Sequence, residues 1–390
     1  MIKDFSVATT PQLHFGAGKL SMLPAAIRGF GTRVLVVTGA RSFIASMAGQ
    51  KTGQDLSTRQ IEFQICKIGK EPTPEMIDAA VSTYGPSDPA CVVAIGGGSV
   101  LDAGKAISAM LPLRDGVKNY LEGVGTKEHP GTKVPFIAVP TTAGTGSEAT
   151  KNAVISETGP QGYKRSLRHN HFVPDIAIVD PVLTSGCPPH VTASSGMDAF
   201  TQLLESYVST SANPLTDALA IAGLRHIARS LKTAYDDGEN PEARADMSLA
   251  AYISGITLAN AGLGLVHGFA SPIGGFFDIP HGMICSALMA PANVITVRKL
   301  RTQSSGEALQ KYAAVGKVFT RPEGKSDEYY IDSLLSEIES LATEMKISRL
   351  STYGIERRDF QKIVEATDNK KNPAVLNAEE MTEVLEIAFG

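Results

Sequence analysis

The pattern of hydrophobic residues changes midway along this chain, and the change limits the folds it can adopt. In the first half, short runs rich in valine and isoleucine alternate with stretches of helical spacing such as 74–84 and 99–110. The strand-like runs are RVLVVTG (33–39), IEFQICKIG (61–69), ACVVAIGGG (90–98), VPFIAVPTT (134–142) and DIAIVDP (175–181). Alternating strands and helices predict a mostly parallel sheet, whose wholly apolar strands are buried on both faces.

The second half of the chain predicts helices alone. From about Ser195 onward, apolar residues recur at helical spacing, with glycines and prolines between the segments. These segments are 197–208, 215–235, 243–261, 283–298, 306–318, 327–345 and 377–388. Because 390 residues exceed one core of typical size, we expect two domains. The boundary lies near TSGCPPHVT (184–192). The prediction is an α/β nucleotide-binding domain over 1–187 and an all-α metal and substrate domain over 188–390.

Charge and composition exclude several classes of partner. A net charge of −4 with mixed signs provides no basic field for nucleic acid. No uninterrupted apolar stretch is long enough to span a bilayer, and MIKDFSVATTPQ at the start lacks the apolar core of a signal peptide. Cys66, Cys91, Cys187 and Cys285 are far apart and show no metal-type spacing. We expect reduced thiols and a cytoplasmic protein.

A glycine-rich junction follows the third of these strand-like runs. Gly96, Gly97 and Gly98 end the strand, Ser99 is positioned to cap the following helix, and Asp102 adds a carboxylate near its first turn. A helix N-terminus presents free N–H groups to a phosphate, and glycines let the phosphate approach the backbone. A plain tight turn is the alternative interpretation of this junction alone.

A second junction of the same kind follows the next strand-like run. VPTTAGTGSEAT (139–150) offers the hydroxyl groups of Thr141, Thr142, Thr145 and Ser147. Because parallel strands end at one edge of a sheet, the two loops are expected to lie together, where such sheets bind ligands. This loop is predicted to surround a sugar, a phosphate or a nicotinamide amide.

The first strand-like run ends in VVTGARSF (36–43), which bears on the choice of nucleotide. Dinucleotide folds often carry an acidic residue here that binds the adenosine ribose. Gly39 occupies the candidate position, and Arg41 and Ser42 follow it. With no carboxylate to repel a 2′-phosphate and Arg41 to bind it, the sequence favours NADP over NAD. Alternatively, Arg41 faces solvent and Gly39 only turns the chain.

Four polar residues in the helical half are candidates for a metal site. Asp198 and Gln202 lie four residues apart and therefore share a helix face. His267 and His281 occur in an apolar, glycine-rich stretch that has no packing need for histidine. Together they can hold a divalent cation, with Gln202 as a weak oxygen ligand. Alternatively, the histidines are satisfied core residues and the Asp–Gln pair is structural.

Across nearly its whole length the chain resembles the iron-containing (group III) alcohol dehydrogenase family. The matching stretches occur in the family's order and spacing. They are FGAGKL (15–20), GGGSVLDAGKAIS (96–108), PTTAGTGSEAT (140–150), PDIAIVDP (174–181), GMDAFTQLLESYVSTSANPLTDALA (196–220), GLGLVHGFASPIG (262–274) and PHGMICSALMAP (280–291).

The resemblance implies a dehydroquinate synthase-like architecture, with an α/β nucleotide-binding domain, an α-helical domain and an active site in the cleft between them. The GGGS segment would bind the pyrophosphate, and the TTAGTGS loop would surround the ribose and nicotinamide. Lys164, in GYKRS, matches a family lysine that contacts the cofactor, and the residue at the Gly39 position influences the choice between NAD and NADP.

The metal end departs from the family pattern at two positions. Asp198, His267 and His281 match three of the family's four metal ligands, but Gln202 stands where the fourth is normally histidine. Ser271 stands where related members usually have another active-site histidine. Because an amide oxygen is a weaker ligand than imidazole, either Fe²⁺ or Zn²⁺ binds more weakly or the carbonyl is polarised in another way.

The resemblance implies an NAD(P)-dependent alcohol dehydrogenase or aldehyde reductase acting on a small primary alcohol or diol. Asp198, His267 and His281 are its expected catalytic residues, and a homodimer or larger homo-oligomer is expected. The alternatives are a polyol dehydrogenase, a maleylacetate reductase-like enzyme or a sugar-phosphate cyclase of the same fold. A nucleotide-binding protein with a degraded metal site and no dehydrogenase activity is a further alternative.

Overall fold

A computed structural model describes residues 4–40, 42–303, 306–320 and 323–390 of the chain. The chain divides into two compact units. The first unit consists of Ala8–Glu157 and Lys164–Cys187. The second consists of Pro188–Gly390 with Thr158–Tyr163 and the described residues before Ala8. The predicted fold class, a parallel sheet followed by a helical region, is confirmed.

The first unit is built on a six-stranded parallel sheet in the order β1-β8-β5-β4-β2-β3. Two further strands, β6 and β7, pair with each other in a small second sheet. The strands are β1 (Gln12–Phe15), β2 (Arg33–Gly39), β3 (Glu62–Ile68), β4 (Cys91–Gly96), β5 (Phe136–Pro140), β6 (Asn152–Glu157), β7 (Tyr163–Arg168) and β8 (Ile176–Val179).

Helices connect the strands of the large sheet and bury its apolar side chains. They are α1 (Leu23–Arg28), α2 (Ser42–Ala45), α3 (Met47–Thr58), α4 (Pro74–Tyr84) and α5 (Gly98–Met110). Local chemistry fixes their starts: the Ser46 hydroxyl accepts the Gly49 N–H at α3, and Thr73 caps α4 before a proline at its first position. The central strands β4 and β5 are buried along their whole length, as their apolar sequences predict.

Helices make up the second unit. They are α6 (Pro189–Val208), α7 (Pro214–Asp236), α8 (Pro241–Ala261), α9 (Leu265–Phe276), α10 (His281–Thr302), α11 (Gly306–Phe319), α12 (Asp327–Glu344), α13 (Phe360–Ala366) and α14 (Ala378–Phe389). Asn213 and Asn377 start α7 and α14 with reciprocal capping boxes. By length and composition α10 resembles a membrane-spanning helix, but 67% of its apolar stretch is buried in the protein, as in a core helix.

The five predicted strands are present, whereas β1, β6 and β7 were not predicted. β1 has only four residues, and β7 (YKRSLR) has Leu167 as its one buried apolar residue, so it forms no apolar run. The helix after the GGG junction also starts differently from the prediction. Gly97 is its N-cap and Ser99 lies inside its first turn, so the expectation that Ser99 caps α5 is wrong.

Candidate cofactor and metal sites

The predicted cofactor-binding loops meet at the carboxyl edge of the parallel sheet. Gly96 at the end of β4 pairs with Pro140 at the end of β5, and the Thr141 N–H donates to the Gly96 carbonyl at 2.9 Å. β2, which ends at Gly39, lies on the other side of β4. The chain leaves β2 toward β3 and leaves β4 toward β5, in opposite directions along the sheet. Such a switch point is where open α/β sheets bind ligands.

Crowding explains two of the three glycines before α5. A Cβ on Gly96 would lie 2.6 Å from Val100 Cβ, and one on Gly98 would lie 2.5 Å from Thr145 Cγ2. The second loop therefore packs directly on the start of α5. No side chain among the described residues caps this helix end, so its first N–H groups remain available to an anion.

Asp102 and Ser147 lie in a network that fixes the second loop. The Asp102 carboxylate accepts the Ser147 hydroxyl at 2.5 Å and the Val154 N–H at 3.0 Å. The buried Lys105 ammonium, which sequence analysis missed, donates to the Ser147 and Asn152 carbonyls at 2.8 Å and to the Thr150 hydroxyl at 3.0 Å. Burial lowers the pKa of Lys105 to about 8. A role for Asp102 and Ser147 in cofactor binding stays a prediction.

Thr141 and Thr142 lie beside the first glycine-rich loop, whereas Lys164 forms an ion pair. Thr141 and Thr142 are half-buried beside Gly96 and Gly97. The Lys164 ammonium donates to the Glu71 carboxylate, a partner that the sequence did not indicate. Its predicted contact with the cofactor is untested.

Gly39 is not required by the fold. Among the described residues, the nearest atom to a Cβ built there is Ser42 Oγ at 3.8 Å, an ordinary contact distance. Ser42 begins α2, three residues after Gly39 ends β2. The predicted contribution of Arg41 concerns a residue outside the described part of the chain.

The second unit gathers a cluster of candidate metal ligands. Asp198 lies on α6, His267 on α9, and His281 and Cys285 on one face of α10. One ligand atom from each residue lies within 4.8 Å of the others. Asp198 Oδ1 is 3.4 Å from His267 Nε2 and 3.8 Å from His281 Nε2. Cys285 Sγ is 3.7 Å from each of those two nitrogens. The sequence indicates Asp198, His267 and His281 as candidate ligands, but it does not indicate the thiol of Cys285.

Glu205 orients His267 toward the cluster. Its carboxylate lies 2.7 Å from His267 Nδ1 and also accepts the Val266 N–H at 2.7 Å. A carboxylate on one ring nitrogen sets the tautomer and leaves the other nitrogen facing a metal. Glu205 follows Asp198 by seven residues, so the helical spacing of α6 was a usable signal.

Charges in the cluster depend on one another. Burial alone would raise the pKa of Asp198, but His281 and His267 lower it below its usual value. Burial alone would lower the pKa of His267, whereas Cys285, Glu205 and Asp198 raise it well above the usual value. Burial raises the pKa of the Cys285 thiol to about 12. Loading a cation onto this set therefore releases protons.

The side chains fit a divalent cation. Asp198 is 1% exposed, yet its Oδ1 atom has no hydrogen-bond partner in the described part of the chain. A buried carboxylate oxygen without a donor is costly unless a cation completes its environment. Imidazole nitrogens, a carboxylate and a thiol are donors suited to first-row metals.

Gln202 and Ser271 are the two departures from the expected pattern. Gln202 is buried one helical turn from Asp198, and its carbonyl oxygen accepts the Ser254 hydroxyl at 2.6 Å. Its role as a metal ligand stays a prediction. Ser271 is half-buried on α9, and its hydroxyl donates to the His267 carbonyl at 3.4 Å.

Comparison with known proteins identifies the family. Residues 10–181 match the family model described as "Iron-containing alcohol dehydrogenase", and residues 192–389 match the C-terminal model of that family. Long-chain-alcohol dehydrogenase 1 of Geobacillus thermodenitrificans is 38% identical over 70% of this chain and 68% of its own. The NADPH-dependent butanol dehydrogenase of Clostridium saccharobutylicum is 29% identical over 97% of this chain and 96% of its own.

A solved structure of 1,3-propanediol oxidoreductase superposes with a TM-score of 0.88 at 28% identity, covering 99% of this chain and 100% of that one. The similarity thus extends over both units, through the glycine loops and the cluster of ligands. The chain belongs to the iron-containing alcohol dehydrogenase family.

Proposed function

We propose that this protein is an NADP-preferring alcohol dehydrogenase that interconverts a small primary alcohol or diol and its aldehyde with the help of a divalent cation. The observation that carries the proposal is the cluster of the buried Asp198 and His267 with the partly exposed His281, in a chain that also has two glycine-rich loops at one sheet edge. The relatives are named as alcohol, butanol and propanediol dehydrogenases, which supports the substrate class.

The first unit would bind and orient the nicotinamide cofactor, which supplies or accepts the hydride. The first N–H groups of α5, beginning at Gly98, are suited to the pyrophosphate because they carry the positive end of the helix dipole. The hydroxyls of Thr141, Thr142 and Thr145 would surround the sugar or the nicotinamide amide. The network around Lys105 holds the end of this loop in one conformation.

The second unit would handle the charge that develops on the substrate oxygen. A divalent cation supplies Lewis acidity, which favours ionisation of an alcohol and polarises an aldehyde. Asp198, His267 and His281 would hold it, and Glu205 fixes the ring of His267 so that Nε2 faces the cluster. Burial of Asp198 and His267 excludes water from the inner part of the site.

A panel of small aldehydes tests the proposal, assayed with NADPH and NADH after loading with Fe²⁺ or Zn²⁺. We expect reduction in the metal-loaded protein and a loss of about 100-fold or more in kcat for His281→Ala, because a ligand to the cation is removed. His190→Ala, at the start of α6, is the matched control and should retain activity. Full NADPH-dependent activity in both His267→Ala and His281→Ala would contradict the assignment.

A nucleotide-binding protein without dehydrogenase activity is the second candidate. Gln202 and Ser271 favour it, because two positions at the metal end differ from the family pattern. The same panel separates the two: NADPH binding without turnover of any aldehyde, with either metal present, would support this candidate.

We also propose a cytoplasmic, homo-oligomeric enzyme. The four cysteines are free thiols, and three of them are buried, which suits a reducing compartment. Cell fractionation tests the location, and light scattering during size-exclusion chromatography tests the assembly.

A further inference from the structure

The thiol of Cys285 lies where a metal ligand would lie. It is one helical turn after His281 on α10, so both side chains project from the same face. Its sulfur is 3.7 Å from His267 Nε2 and 3.7 Å from His281 Nε2. The residue is fully buried, so its thiol faces the cluster and not solvent.

The donor distances match one tetrahedral cation. Bonds of about 2.3 Å to sulfur and about 2.0 Å to nitrogen place those atoms about 3.5 Å apart, and a nitrogen and an oxygen about 3.3 Å apart. The distances from Asp198 Oδ1 and Cys285 Sγ to the Nε2 atoms of His267 and His281 run from 3.4 to 3.8 Å. Small inward shifts of these side chains would complete the set.

The neighbouring amide is already engaged. The Gln202 carbonyl oxygen accepts the Ser254 hydroxyl at 2.6 Å, and the same hydroxyl lies 2.7 Å from the Ala251 carbonyl. By contrast, Cys285 Sγ faces the cluster itself, 3.7 Å from each of the two histidine nitrogens and close to the Asp198 carboxylate. An ionised thiol together with the Asp198 carboxylate would balance the two charges of the cation.

Ligand chemistry then selects the metal. A carboxylate, two imidazoles and a thiolate form a borderline-soft set, which suits Zn²⁺ in tetrahedral geometry better than Fe²⁺. Zinc also exceeds iron in general affinity for nitrogen and sulfur sites.

We propose that Cys285 is the fourth protein ligand of the cation, completing the set Asp198, His267, His281 and Cys285, and that this set makes the protein prefer Zn²⁺ to Fe²⁺. The inference rests on the proposed metal-assisted function, in which the substrate oxygen would add as a fifth ligand, and it changes both the ligand set and the metal expected from the family name.

Cobalt(II) is the probe that reports the ligand directly, since thiolate coordination produces an intense near-ultraviolet charge-transfer band. We expect the metal-free full-length protein to bind one Co²⁺ per chain and to show this band. Cys285→Ser should lose the band. Cys66→Ser, which removes a buried thiol of β3, and Gln202→Ala should both retain it.

Competition with a chromophoric chelator provides a second measurement. The Kd for Zn²⁺ should rise about tenfold or more in Cys285→Ser, and the preference for Zn²⁺ over Fe²⁺ should shrink. Circular dichroism checks that the variant is folded. Because serine is nearly isosteric, loss of the band in a folded variant that still binds cobalt supports the thiolate directly.

Three results would overturn the proposal: stoichiometric cobalt binding without the band, a band that persists in Cys285→Ser, or no cobalt binding at all. The first two leave the dehydrogenase function intact if aldehyde reduction is still measured. Failure of the proposed function has a different result: the protein binds metal and NADPH but turns over no aldehyde, whether or not the cobalt charge-transfer band is present.

Discussion

At the scale of single residues, the buried carboxyl of Glu148 is expected to make the stability of the protein depend on pH. This residue is 2% exposed, and burial raises the pKa of its carboxyl to about 7, against the lowering effect of Lys105. An acid whose pKa is higher in the folded protein holds its proton more tightly there than in the unfolded chain. Stability therefore falls as pH rises from about 4.5 to about 7 and levels off above that range.

Glu148→Gln tests this coupling, because glutamine imitates the protonated acid without titrating. At pH 8 the variant should be more stable than the parent, by at most about 3 kcal/mol for a pKa difference of this size. Below pH 4.5 the two proteins should have equal melting temperatures. Thermal unfolding measured across pH 4.5–8 gives the result, with Glu75→Gln on α4 as the control. Equal melting temperatures at pH 8 would contradict a raised pKa for Glu148.

The sequence indicated some site residues and concealed others for a physical reason. Asp198, His267 and His281 were detectable because they are polar residues in apolar or glycine-rich helical segments. Cys285 was not, since a cysteine in an apolar run looks like an ordinary core residue. Lys105 was missed because a lysine is expected to be exposed, and its acceptors lie more than forty residues away in the chain.

At the scale of elements, Gly39 at the end of β2 is the position proposed to influence the choice between NADP and NAD. Gly39 has room for a side chain, and its backbone lies outside the left-handed region. Nothing in the described part of the chain therefore requires glycine at this position. A missing side chain at a sheet edge used for nucleotides favours a cofactor with an additional phosphate.

Gly39→Asp is expected to reverse that preference. A carboxylate beside the ribose repels a 2′-phosphate and accepts hydrogen bonds from ribose hydroxyls, so kcat/KM should move from NADPH toward NADH by about tenfold or more. Gly53→Asp on α3 adds the same charge away from the strand end and serves as the control. Steady-state rates with both cofactors provide the measurement. An unchanged ratio would show that position 39 does not face the ribose.

Helices with regular apolar spacing could be predicted from the sequence. Helices in which close packing requires glycine were harder to predict. α4 was predicted with its observed bounds because it has a Thr-Pro start and regular apolar spacing. α9 was not delimited, because Gly268, Pro272 and Gly275 resemble breakers. A Cβ on Gly268 would lie 2.0 Å from the Asp368 carbonyl oxygen, so that glycine permits close packing and does not end the helix.

At the scale of the whole molecule, the chemistry divides between two parts of the chain. Every candidate cofactor contact within the described residues lies in the first unit, from Gly39 to Lys164. Every member of the ligand cluster lies in the second unit, from Asp198 to Cys285. We therefore expect turnover to need both sets of residues, and binding of the cofactor or of the cation to need the residues of one unit.

Removal of the metal should therefore abolish turnover and spare cofactor binding. We expect protein stripped of metal with a chelator to bind NADPH with a Kd within about twofold of that of the metal-loaded protein. The same is expected of the folded His281→Ala variant, because separate sites without shared partners act independently. Gly98→Val is the opposite control: its side chain would collide with Thr145 at the start of α5, so NADPH binding should be lost while cobalt binding persists. Cofactor fluorescence measures the first quantity and cobalt absorbance the second. A Kd for NADPH that rises tenfold on metal removal would mean that the cation contributes to binding the nucleotide, and the division of labour between the two units would then be wrong.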